Sequence, residues 1–310
     1  MGKLAHRLVW RACALMLSAA TAAELGAQEI AAGKTGSPMG EDILVTGPAL
    51  DALDEYVAEL TATRNGKQID RWNSAICARA VGLAPGNNAF LAGHIDAAAR
   101  AIRIPVERPG CRPNILVVVT EEPDIFARLL LKRYPKLFGA YGGEMAPAAA
   151  SAALLAPRPV RWLNASSWGN GHGAPVVDGN KNFIYSVSRI QETTRENATL
   201  SLVIVDATSI GGVTWGELGS YIAMVALARP SADITPEGPT ILSLFRRRDA
   251  NQKRPGSLTR WDREFLKSLY STKANASATL QRSQIQSSMN RRLASQDQGF
   301  SDSGGEAQDK

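Results

Sequence analysis

Glu217 follows Thr214 by three residues at the head of an apolar run in which Leu218, Tyr221, Ile222 and Val225 share one helical face. A threonine and a glutamate so spaced form a capping box: the hydroxyl accepts a backbone N–H of the first turn, and the carboxylate reaches back to the cap. A glutamate free of that duty is a candidate acid or base. With Asp262 or Asp206, Glu217 would form the paired carboxylates that hydrolyse a glycosidic bond without metal. Nothing in the spacing brings these acids together, and each has a structural alternative as a cap or turn residue. The catalytic reading therefore rests on Glu217 and Asp262 and stays second to a non-catalytic one.

Metal chemistry has few donors to work with. Past residue 27 the histidines are His94 and His172, which do not share a helix, so a two-histidine zinc helix cannot be assembled. No metal and no cofactor is expected. His94 lies at the edge of a helical apolar stripe, where a half-buried structural histidine is the simpler assignment. Four aromatic or heterocyclic residues, Trp162, Trp168, His172 and Trp215, offer a lip for an extended peptide or a sugar, with core packing as the alternative for the tryptophans. Gly169, Gly171 and Gly173 space like a phosphate loop, but the next segment, Phe183 to Ile190, reads as a strand rather than a helix start, which excludes it.

The elements that would position these residues form an α+β domain. Leu50, Leu53, Val57 and Leu60 predict an amphipathic helix over Pro48 to Thr63. A βαβ unit follows: a strand from Ala75 to Leu83, a helix from Asn88 to Arg103 striped by Leu91, Ile95, Ala98 and Ile102, and a strand from Ile115 to Val119. Pro123 opens the next helix and Gly139 ends it. Ala140 to Pro159 reads as a surface excursion, Arg161 to Leu163 as a strand, Ser167 to Asn182 as a loop and Leu200 to Asp206 as a central strand. Helices are expected at Ser257 to Tyr270 and, more weakly, at Gln281 to Leu293, before a polar tail from Ser295.

Lys3, Arg7 and Arg11 precede the apolar run Ala12 to Ala23, the pattern of a secretory signal cleaved after Ala22 or Ala27. The run holds about a dozen residues where a span needs about 20, so no membrane span is expected in the mature chain and the location is periplasmic or secreted. Without residues 1–27 the net charge falls from +6 to +4. That balance is too diffuse for a nucleic-acid partner; the one basic cluster, Arg246 to Arg248 with Lys253 and Arg254, reads as a solvated turn. The two remaining cysteines, Cys77 in the first strand and Cys111 just before the second, read as one disulfide. The organisation is a signal peptide over 1–27, a flexible leader over 28–47, a helix and linker over 48–69, a core domain over 70–272, and a weak helix with a polar tail over 273–310.

Three resemblances add to this. Gly216-Glu217-Leu218-Gly219-Ser220 is similar to H-E-L-G-H, the zinc-protease helix, with both histidine positions lost. The strand into Asp206, the Gly211-Gly212 turn and a helix ending at Arg229-Pro230 follow that motif's order. Ser257-Leu258-Thr259-Arg260-Trp261-Asp262, leading to Leu269-Tyr270, resembles the closing helix of metzincin-type domains. The resemblance implies a zincin-like domain, a mixed sheet flanked by helices, whose cleft binds rather than cleaves. Gly110-Cys111-Arg112-Pro113-Asn114-Ile115, Tyr221-Ile222-Ala223-Met224-Val225 and Trp261-Asp262-Arg263-Glu264-Phe265-Leu266 resemble a group of uncharacterised secreted alphaproteobacterial proteins over most of residues 70–290; that group brings no activity with it. Asp42-Ile43-Leu44-Val45-Thr46-Gly47 resembles the segment after the signal in TonB-dependent receptors, which suggests an accessory of envelope transport. The expected partner is a periplasmic peptide, a glycan or an envelope protein.

Overall fold

The structure is a computed structural model that describes residues 47–62, 68–134, 147–170, 194–234, 236–246 and 254–303. The expected signal, most of the leader, His172 and the strand at Phe183 to Ile190 lie outside the described residues.

Helix α1 (Gly47–Leu60) precedes the sheet and buries Leu53, Tyr56, Val57 and Leu60. The βαβ unit is β1 (Ala78–Val81), α2 (Pro85–Ala101) and β2 (Ile115–Thr120), with β1 and β2 parallel from Ala78 opposite Ile115 to Val81 opposite Val118. Pro85 occupies the first turn of α2, where its missing N–H is not needed. Gly82 has φ +100° and a Cβ there would stand 1.9 Å from the Val119 carbonyl oxygen, so only glycine permits the turn out of β1.

Two helices, α3 (Pro123–Arg133) and α4 (Pro147–Leu155), lead to β3 (Val160–Asn170), which turns back antiparallel to β4 (Thr194–Asp206). Strand β4 also pairs in parallel with β2, so the four-stranded mixed sheet runs β1-β2-β4-β3. From β4 the chain enters α5 (Trp215–Ala228), then a short 3-10 turn at Ile241–Ser243, α6 (Arg260–Ser271) and α7 (Ala278–Ser303). The described residues thus hold seven helices and one sheet.

Strand alternation divides the core by face. Val117, Val119, Val203, Val205, Val160 and Trp162 pack with α1, α2, α5, α6 and α7. Val118, Leu202, Ile204 and Leu163 point the other way, against Ala127 of α3 and Leu154 of α4. Helix α5 is buried all round from Leu218 to Ala228, which matches its unbroken apolar sequence.

The Cys77–Cys111 disulfide is present, its Cα atoms 6.2 Å apart, although Cys77 stands one residue ahead of β1 rather than within it. Three expectations are corrected. Pro147–Leu155 is a helix rather than an irregular excursion, since alanine is the best helix former and here needs no stripe. Strand β3 runs on to Asn170 because β4, starting at Thr194, supplies pairing partners the polar sequence does not advertise. Helix α7 reaches Ser303, past the start of the expected polar tail.

Candidate functional site

The head of α5 is built by its capping box. Thr214 Oγ1 accepts from the Glu217 N–H at 3.2 Å, and Glu217 Oε2 accepts from the Thr214 N–H at 2.7 Å. Both backbone donors are orphans of a helix N-terminus, so the carboxylate is engaged by local structure.

One turn on, Gly219 and Ser220 face α2. Ser220 is buried and its Oγ lies 3.0 Å from His94 Nε2. A Cβ at Gly219 would stand 2.9 Å from His94 Cγ, so the missing side chain lets the two helices approach. Burial lowers the His94 pKa from its ordinary value, which favours the neutral ring. The serine therefore points into the α2–α5 seam, at the place where the zinc helix would carry its second histidine. Among the described residues no group of three or more His, Cys, Asp or Glu side chains is placed to hold a metal ion.

Asp262 is fully buried in the first turn of α6. Its Oδ1 accepts from Tyr56 Oη at 2.9 Å and Thr240 Oγ1 at 2.6 Å, and its Oδ2 from the N–H groups of Ile241 and Thr259, both at 2.8 Å. These donors engage both carboxyl oxygens, and none of the residue is exposed. Tyr56 in turn has its pKa raised well above the ordinary value by burial, by the Asp262 charge and by their hydrogen bond. Asp206 is the turn residue after β4, accepting from the Thr208 N–H and hydroxyl and from the Ser209 hydroxyl. Slight burial acts to raise its pKa, but those hydrogen bonds and Arg161 outweigh it and hold it low.

Of the aromatic lip, Trp162 is a core residue, its Nε1 donating to the Pro230 carbonyl at 3.0 Å and its ring edge-on to Tyr221. Trp215 is 38% exposed on the first turn of α5. The Trp168 side chain and His172 lie outside the described residues. In the basic cluster, Arg246 and Arg254 donate to the carbonyls of Pro236 and Gly212.

The feature that sequence reasoning missed is the edge of the sheet. Pro159 O accepts from the Asp206 N–H at 2.9 Å, which sets the ladder so that Arg161 bonds with Ile204 and Leu163 with Leu202. The backbone N–H and C=O groups of Val160, Trp162 and Asn164 consequently face away from β4, and they make no backbone hydrogen bond among the described residues. Both faces of this stretch are covered: Val160 and Trp162 sit in one core and Leu163 in the other, while Arg161 bonds Asp124 at 2.5 Å. As whole residues Val160 and Trp162 are only 1% and 3% exposed, so this rim reaches solvent at Asn164 and not along its length. An edge position is fixed by pairing order, which leaves no local trace in the sequence.

Arg229, at the end of α5, braces this strand. It adopts φ +55°, and its guanidinium bonds Asp70 at 2.6 Å, the Ala165 carbonyl at 2.6 Å and the Leu200 carbonyl at 3.1 Å. The left-handed conformation costs about 1–3 kcal/mol and is held by those contacts.

No protein-family profile matches this chain, and no curated protein or solved structure is significantly similar to it. Among the described residues no helix is long and apolar enough to cross a membrane.

Proposed function

We propose that this chain is an exported, non-catalytic binding protein on a zincin-like scaffold, and that it takes an extended peptide as an added strand along β3. The observation that carries this reading is the backbone of Val160, Trp162 and Asn164, which faces away from β4, has no backbone partner among the described residues and opens to solvent at Asn164, on a strand whose two faces are already packed. Such an edge offers alternating donors and acceptors at strand spacing, which an extended chain satisfies and a sugar does not. The order β4, glycine turn, α5, closing helix α6 supports the scaffold assignment. The engagement of Glu217 in its cap, the burial of Asp262 and the inward turn of Ser220 support binding rather than catalysis. The disulfide supports an oxidising compartment. A glycan partner would rest, among the described side chains, on the exposed Trp215.

The test is to pan a display library of unstructured peptides against the chain from Gln28 onward and titrate enriched sequences calorimetrically against Asn164→Pro and Asn164→Ala. Proline removes one outward N–H without touching the ladder to β4, and alanine controls for the side-chain bonds of Asn164 to Pro230 and Ser201. Asn164→Ala should bind as the parent does and Asn164→Pro about tenfold more weakly. Failure to enrich any peptide, unchanged binding by Asn164→Pro, or cleavage of the bound peptide would each overturn the proposal.

A further inference from the structure

Helix α3 carries an arrangement that the peptide edge leaves unused. Its inner side is seated: Ala127 is fully buried, and Phe126, Leu130 and Leu131 pack with Leu154, Leu163, Leu202 and Ile204. Its outer side nevertheless exposes Ile125 at 52% and Leu129 at 59%, and Tyr134, the residue that caps it, is 53% exposed. At about 100° per residue, Ile125 and Leu129 fall at the centre of the exposed arc, with Arg133 on one flank and Lys132 and Arg128 on the other. These three cations are exposed and make no ion pair among the described residues. The nearby acids lie at the helix head, where Asp124 is drawn to Arg161 and Glu121 and Glu122 precede the first turn.

We propose that α3 seats this protein on an anionic membrane surface. The two aliphatic side chains reach the level where headgroups meet acyl chains, and the flanking Arg and Lys side chains lie alongside and present their charges to lipid phosphates. The charge pattern selects this occupant over a second copy of the chain, since two such faces would bring like charges together across the contact. Because α3 and α4 cover the sheet face opposite α5, attachment leaves the α5 side of the molecule away from the lipid. The contact is peripheral and weak, as befits one short helix.

The experiment is vesicle flotation of the chain from Gln28, with phosphatidylglycerol-containing vesicles against vesicles of phosphatidylcholine alone, at low and raised salt. The parent should float with the anionic vesicles and release as salt rises. Ile125→Gln/Leu129→Gln and Arg128→Gln/Lys132→Gln/Arg133→Gln should each weaken association about tenfold while keeping the parent's melting temperature. No flotation, equal flotation with neutral vesicles, or flotation unchanged in both variants would overturn the proposal. So would a melting temperature that drops in Ile125→Gln/Leu129→Gln, which would show the face covered by the chain itself. A dimer dissolved by that variant in sedimentation would assign the face to a second copy and overturn it as well.

Discussion

His94 Nε2 stands 3.0 Å from Ser220 Oγ, and the two helices that carry them touch through Gly219. The seam between α2 and α5 is therefore closed where a zinc helix would open, and its closure depends on a residue with no side chain. Gly219→Ala should be net destabilising: overpacking costs about 1–3 kcal/mol, against a gain of up to about 1 kcal/mol from helix propensity. His94→Ala in the same chain should recover most of the loss, because it removes the ring that the new methyl meets. Chemical denaturation of the four members of that cycle gives the coupling directly.

The same histidine sets a pH dependence. Burial lowers its pKa from the ordinary value of 6.5, so as the pH falls below 6.5 the unfolded chain takes up a proton before the folded one does. Stability from this group is complete above the ordinary value and is lost as the pH falls through and below it. Denaturation midpoints measured from pH 8 to 5.5 should decline more steeply in the parent than in His94→Gln. The raised carboxyl groups of Asp70 and Asp96 titrate from a more acidic starting point and with the opposite sign, since their folded forms bind the proton more tightly.

Tyr56 ties α1 to α6 through the carboxylate of Asp262. Tyr56→Phe keeps the ring packing against Trp261 and Phe265 and removes one donor from a buried charge. The expected loss is about 1.5–3 kcal/mol, read as a lower denaturant midpoint with an unchanged slope. Asp262→Asn should cost at least as much, because an amide cannot accept from all of the donors gathered there.

Reduction of Cys77–Cys111 reopens a loop with a sequence separation of 34. In the chain-entropy account this costs about 3–4 kcal/mol. Unfolding the parent with and without reductant, beside Cys77→Ser/Cys111→Ser, should give the same deficit in both comparisons.

The fold was legible where periodicity and capping are local. Thr214 with Glu217 marked the head of α5, Leu91 and Ile95 the buried side of α2, and the two cysteines the neighbouring starts of β1 and β2. It was illegible where partners distant in sequence decide. The run Ala148 to Ala153 has no stripe to betray a helix, and Ser166 and Ser167 become strand only because Ala198 and Asn197 lie opposite. The Arg229–Asp70 pair spans 159 residues. Of the residues expected to line a site, Trp162 belongs to the core through its side chain while its backbone faces outward, a division that no composition signal carries.

The central claim is most directly tested by hydrogen exchange at the amides of Val160, Trp162 and Asn164, followed by NMR with and without a peptide enriched by panning. The account predicts that these three amides, which face away from β4, gain protection together on peptide addition, most of all the partly exposed Asn164, while Arg161 and Leu163, already bonded to β4, change little. Protection that appears elsewhere and leaves those three amides unchanged would contradict it.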